Sequence, residues 1–394
     1  MDINQTKEGK TSDLIELSKC CKSYRKQLEL RILESLDLHT WKDNNYQIYD
    51  ELKESLKLEE VLEFLKTDLS SKLKFVKKFN LDCEIDCTFA RIFVKLLPNI
   101  KSLRFEGFDD FDCCLKEGSV SIIKDMEHLE HVFFRSIKEK ISDYYIKKQI
   151  FPKSIKSVRS NCIFGSIFAE DELTIYEIID ASYISLCSLT ILTNRMLQRL
   201  ACGMPNLLEV AIENKYTLDT SKLVVFLEAN PQLRKLSIRL YRFSEEIFKY
   251  ILSCKYLECL SVISDRWERL EINNLPSNYS IKYLKIYCEQ FAPLTLHLIN
   301  ACNILKTLEF VHIREFYYLD WSKFKRRINI LKLFGNSSGL GIINEIDNLK
   351  SFNQIHLKYD YSINEEICNY NLDKLNNYKL IRLISKDFIF KLIN

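Results

Sequence analysis

Apolar residues at positions zero, three and five of a short segment recur about every 24 residues along this chain. That recurrence constrains the fold more than any other feature. Ile100-Leu103-Phe105, Leu129-Val132-Phe134, Leu207-Val210-Ile212, Leu233-Leu236-Ile238 and Leu257-Leu260-Val262 fit it. So do Ile281-Leu284-Ile286, Leu305-Leu308-Phe310, Ile328-Leu331-Leu333, Phe352-Ile355-Leu357 and Tyr378-Ile381-Leu383. Weaker copies stand at Leu33-Leu36-Leu38, Val76-Phe79-Leu81, Ile155-Val158 and Leu186-Leu189-Ile191. Side chains alternate sides along a strand, so the second and third apolar residues face one way and their neighbours the other. One strand per repeat, about fourteen in all, is the expectation.

Between these segments lie helical patterns. Phe89, Ile92, Phe93, Leu96 and Leu97 form one apolar stripe. Leu223, Phe226 and Leu227 repeat it, and Asn230-Pro231 should stop that helix. Ser244 is placed to cap a helix carrying Phe248, Ile251 and Leu252. Turns before the strands are marked by Leu97-Pro98-Asn99, Met204-Pro205-Asn206, Asn230-Pro231-Gln232 and Leu275-Pro276-Ser277. Each unit therefore reads helix, turn, strand.

A period in the twenties with the pattern L-x-x-L-x-L resembles the leucine-rich-repeat proteins. The resemblance implies an α/β solenoid, or horseshoe, with parallel strands on the concave face, helices on the convex face and a helical N-terminal cap. The asparagine usual eight residues after the first leucine is mostly missing. Asn194 and Asn336 occupy that place; Phe108, Ile137, Tyr241 and Ile313 do not. This resembles the ribonuclease-inhibitor-like, F-box-associated branch. At the C-terminus, Ser385 is placed to start a short covering helix with Phe388, Ile389 and Leu392.

The N-terminal stretch opens with Asp13 and Glu16, a start like a capping box. Leu14, Leu17, Cys21, Tyr24 and Leu28 then form one helical stripe. With Cys21-Lys22 and Tyr24-Arg25, it resembles the second half of an F-box, which in that family leads into leucine-rich repeats. The resemblance implies that Leu14, Leu17, Cys21, Tyr24 and Arg25 meet an Skp-type adaptor of a cullin ubiquitin ligase. The Leu-Pro-x-Glu segment that opens a complete F-box has no counterpart in Met1 to Ser12. Three readings stay open: a substrate receptor of such a ligase, an interaction scaffold in which residues 1–32 only cap a solenoid of residues 33–394, or a ligand-binding or nucleic-acid-associated repeat protein that uses a mildly basic concave face. Weak or absent adaptor binding by the chain as given is the expectation.

Composition narrows the chemistry. The formal net charge is +3, which favours neither nucleic acid nor an acidic membrane. No apolar run reaches the length of a membrane span. Fourteen cysteines without a signal peptide read as reduced, small packing residues in the cytoplasm or nucleus. Eight glycines leave little material for a phosphate loop, and Gly335 to Gly341 lacks a lysine anchor. His128 and His131 flank a repeat leucine, which separates them into turn and strand. Cys83 and Cys87, and the pairs Cys20-Cys21 and Cys113-Cys114, lack the second ligand cluster of a zinc site. No cofactor and no catalytic residue is expected.

The expected activity is recognition of a protein partner by the outward strand positions. Aromatic residues there have no packing need, and they are enriched at binding hot spots. Tyr283, Lys285, Tyr287, Val311, Lys332 and Phe334 form the candidate docking patch.

Overall fold

The computed structural model describes residues 31, 33–37, 61–63, 65–82, 85–106, 115–135, 149–161, 174–213, 218–240, 244–264, 274–288, 292–311, 319–320, 323–324, 326–335, 347, 350–359, 375–384 and 387–393. They belong to two compact units, residues 1–188 and 189–394.

In the first unit, β1 (Ser35–Asp37), β2 (Lys78–Asp82), β3 (Ser102–Glu106), β4 (His131–Arg135) and β5 (Ser157–Asn161) lie side by side in chain order. All pair in parallel. Helix α1 (Cys87–Leu96) follows β2, and its start is set by Asp86, whose carboxylate accepts from the Thr88 and Phe89 N–H groups. Phe89 and Phe93 are buried on the face that the apolar stripe marks. Helix α2 (Glu117–Asp125) follows β3. A Cβ on its Gly118 would meet the Ile85 carbonyl oxygen at 2.3 Å, so only glycine lets α2 approach the chain entering α1.

Strand β6 (Ser188–Ile191) starts on the last residue of the first unit, and the second unit goes on with α3 (Asn194–Leu200), β7 (Glu209–Ile212), α4 (Thr220–Ala229), β8 (Lys235–Leu240), α5 (Glu245–Ser253) and β9 (Cys259–Ser264). It continues with β10 (Tyr283–Cys288), α6 (Ala292–Ala301), β11 (Thr307–Phe310), β12 (Ile328–Gly335) and β13 (Phe352–Tyr359). Strands β7 to β13 pair in parallel with neighbours in chain order. Helix α4 ends one residue before Asn230-Pro231, and the Ser244 hydroxyl accepts from the Ile247 N–H to cap α5, both as the sequence leads one to expect.

Register turns the triplets into columns. Val210, Leu236, Leu260, Leu284, Leu308, Leu331 and Ile355 stand opposite one another on successive strands. All are buried. Each such leucine is worth about 1.5–3 kcal/mol of apolar burial, and the repeat lets that gain recur strand by strand. The Phe105 and Phe134 rings stack at 5.5 Å in the third-position column of the first unit.

The turns repeat as well. The first apolar residue donates its N–H to the carbonyl three residues earlier, as in Leu129 to Met126, Leu207 to Met204 and Leu233 to Asn230. The next carbonyl along takes two N–H groups from the following repeat: Lys101 accepts from Glu130 and His131, and Arg234 from Glu258 and Cys259.

Two polar side chains are sealed inside these turns. Asn230 accepts from the Met204 N–H at 2.8 Å and donates to the carbonyls of Phe226 at 2.8 Å and Leu200 at 3.2 Å. Asn278 accepts from the Ile281 N–H at 2.7 Å and donates to the Leu252 carbonyl at 2.7 Å. The turn before Ile281 is therefore built on Asn278 to Ser280, three residues beyond Leu275-Pro276-Ser277. Asn194 does bridge loops, accepting the Asp219 N–H at 2.8 Å. Asn336 lies outside the described residues.

The C-terminal end departs from the repeat. Strand β14 (Tyr378–Ile384) is followed by β15 (Asp387–Leu392), and β15 lies between β13 and β14, antiparallel to both. The expected helix over Phe388, Ile389 and Leu392 is thus a strand. Phe388 and Phe390 are buried and Lys391 is exposed, a period of two that a helix cannot satisfy. The triplet Tyr378-Ile381-Leu383 also fails: Ile381 is 51 % exposed, next to a register shift between Leu380 and Arg382. Asp347 anchors the start of β14 with a buried carboxylate that accepts the N–H groups of Asn376, Asn377 and Tyr378.

Candidate functional site

The outward residues of β9 to β13 form three rows, because parallel register places equivalent positions opposite one another. The first row runs Cys259, Tyr283, Thr307 and Ile330. The middle row runs Ser261, Lys285, Glu309, Lys332 and His356. The third starts Ile263, Tyr287. Val311 continues it, one residue past the Ile286–Phe310 pair, with its N–H on the Ile286 carbonyl at 3.1 Å. Phe334 and Lys358 complete it.

Glu309 is the centre of the middle row and only 3 % exposed. Lys285 Nζ stands 3.0 Å from its Oε1. The Tyr283 hydroxyl donates to its Oε2. Lys332 Nζ sits 5.4 Å above the Tyr283 ring, a cation–π contact. A carboxylate this buried needs such partners, since an unpaired buried charge is strongly unfavourable. Burial, and then the bond to Glu309 and its charge, push the Tyr283 hydroxyl well above the ordinary phenol range. It donates and does not ionise.

The six candidate residues thus lie on three adjacent strands but in two groups. Tyr283, Lys285 and Lys332 are tied into the Glu309 network. Tyr287, Val311 and Phe334 stand in one row with Ile263, half-buried and on the side away from the core. Glu309 takes an outward place in its own repeat, but a single repeat does not show which charges from its neighbours converge on it. The F-box-like residues Leu14, Leu17, Cys21, Tyr24 and Arg25 lie outside the described residues.

Of the described cysteines, Cys302 is buried as a packing residue, whereas Cys87 and Cys202 are exposed, contrary to the expectation that all are packers. Cys87, Cys187, Cys202, Cys254, Cys259 and Cys302 are free thiols. Burial pushes the Cys254 thiol up to about 11 and that of Cys302 up to about 12, which keeps both protonated. His128 lies in a turn and His131 opens β4. Burial holds the His131 imidazole below its ordinary range. Among the described residues no group of three or more His, Cys, Asp or Glu could hold a metal ion, and no helix is long and apolar enough to cross a membrane.

No protein-family model matches the chain, and no curated protein matches it. Solved structures do. A leucine-rich repeat-containing protein of Legionella pneumophila aligns at 12% identity and TM-score 0.37, over 72% of this chain and 84% of its own. An internalin of Listeria monocytogenes aligns at 12% and 0.37, over 77% and 94%. The Toll–Spatzle complex of Drosophila aligns at 11% and 0.34, over 76% and 49%. The chain's own repeats of strand, turn and helix, with their buried triplets in register, are those of a leucine-rich-repeat solenoid.

Proposed function

We propose that this chain is a non-catalytic protein-recognition module whose partner docks on the outer face of β9 to β13. The row Ile263, Tyr287, Val311 and Phe334 carries this reading. It puts two aromatic side chains on a sheet face where packing against the core requires none. Aromatic anchors beside polar groups are the composition of binding hot spots. Beside it, the Glu309 network holds Tyr283, Lys285 and Lys332 as a polar border in which one of the two lysine charges is offset by the carboxylate.

The test replaces Tyr287 and Phe334 by Ala and recovers partners from cells with the tagged chain. Loss of the main partner with an unchanged melting temperature supports docking here. Retention of that partner moves the site elsewhere.

A second reading makes the chain a substrate receptor of an Skp–cullin ubiquitin ligase. It rests on Leu14, Leu17, Cys21, Tyr24 and Arg25 standing ahead of leucine-rich repeats. Calorimetric titration with a purified Skp-type adaptor tests it. A submicromolar complex supports it, and no heat of binding leaves the scaffold reading.

A further inference from the structure

The outer face of the first unit has a different chemistry. The middle positions of β3, β4 and β5 are Arg104, Phe133 and Arg159, opposite one another in register. The Arg104 guanidinium lies 5.0 Å from the centre of the Phe133 ring, with its Nε 2.5 Å from Glu106 Oε1. Arg135 Nη1 reaches the same oxygen at 3.9 Å with the side chain 40% exposed. Arg159 is exposed and donates from Nε to the Ser188 hydroxyl at 2.8 Å. Along the turn side of these strands, Glu130 is bracketed by Lys101 Nζ at 2.8 Å and Lys156 Nζ at 2.9 Å.

Among the described residues of β3 to β5 and the turns leading into β4 and β5, and counting Lys101 ahead of β3, the cations are Lys101, Arg104, Arg135, Lys153, Lys156 and Arg159. The anions are Glu106, Glu127 and Glu130, so six cations against three anions leave a local excess of three positive charges. That is a concentrated charge in a chain whose whole formal balance is +3.

We infer that this face is a second docking surface, and that it takes a carboxylate-rich segment of a protein partner. Arginine forks match carboxylates, and Glu106 already shows the face accommodating one between two arginines. The Phe133 ring packs against the Arg104 guanidinium, so less of that side chain's freedom is lost on binding. Nucleic acid fits less well. Its affinity grows with the number of phosphates neutralised, and a sequence pI near 8.1 is low for a binder of that class.

The experiment uses the full chain and a fluorescent deca-glutamate peptide, read by anisotropy, with a single-stranded oligonucleotide of equal length in parallel. Binding of the peptide that weakens with salt, and falls about tenfold or more in Arg135→Gln/Arg159→Gln, supports the inference. Both side chains are accessible, and an unchanged melting curve shows that the fold is intact. A Tyr287→Ala/Phe334→Ala chain should bind the peptide as the parent does, which separates this surface from the one proposed on β9 to β13. Peptide binding that is absent, or equal in the arginine variant, overturns the inference. So does an oligonucleotide that binds more tightly than the peptide and is lost with the same arginines.

Discussion

Replacing Asn230 by Ala should destabilise its repeat far more than a turn asparagine ordinarily would. The side chain is 1 % exposed and makes three hydrogen bonds to backbone groups, those of Met204, Phe226 and Leu200, besides a longer one from the Gln232 side chain at 3.5 Å. Alanine removes all three backbone bonds at once. The Met204 N–H, itself buried, loses the carboxamide acceptor, and two carbonyls at helix ends lose a donor. Each buried group left unpaired costs about 1–3 kcal/mol. Water reaching one of the carbonyls relieves part of that, so about 2–5 kcal/mol is expected.

Asn230→Asp separates the contributions. It keeps an acceptor for Met204 but turns a carboxylate towards two carbonyls, and should be at least as damaging as Ala. Because a repeat couples mainly to its neighbours, the loss should open this region before the rest. Urea denaturation with hydrogen exchange at the Met204 amide reads both effects. A change under about 0.5 kcal/mol, the range of an exposed site, with Met204 still protected, would refute the reasoning.

Leu236→Ala truncates a buried residue in the second-position column and should cost about 2–5 kcal/mol by the same denaturation assay. The bonds from Lys101 and Lys156 hold the Glu130 carboxyl down at about 2, from an ordinary value of 4.5. A lowered folded value means that this stabilisation is complete above about pH 4.5 and lost as the pH falls through about 2. Urea midpoints of Glu130→Gln should therefore lie below the parent's at neutral pH and converge with them in acid. All fourteen cysteines should titrate as free thiols after denaturation without reductant, and a reproducible deficit of two would contradict reduced packing.

The strands were legible because burial in a parallel ladder repeats two residues apart and then a full repeat later, a pattern that apolar residues print directly. Asn230 and Asn278 were not read as buried. An asparagine beside a turn looks the same whether it is solvated or satisfies three backbone groups, and only the stacked neighbour decides. The last strands depart from the expected helix for a related reason. Phe388, Ile389 and Leu392 fit a helical face as loosely as a strand, and the unpaired edge of β13 resolves the choice in favour of β15. At the candidate site, the outward positions were legible one strand at a time. The division into a Glu309 network and an apolar row depends on register across three strands, which no single repeat contains.

The central claim is that a protein partner docks on the outer face of β9 to β13. A photo-crosslinking amino acid placed at Phe334, and separately at Val225, tests it most directly. Val225 is an exposed position on α4. Irradiation in cells should give one discrete protein adduct from position 334 and none from 225. An adduct from 225 with none from 334 would contradict the claim.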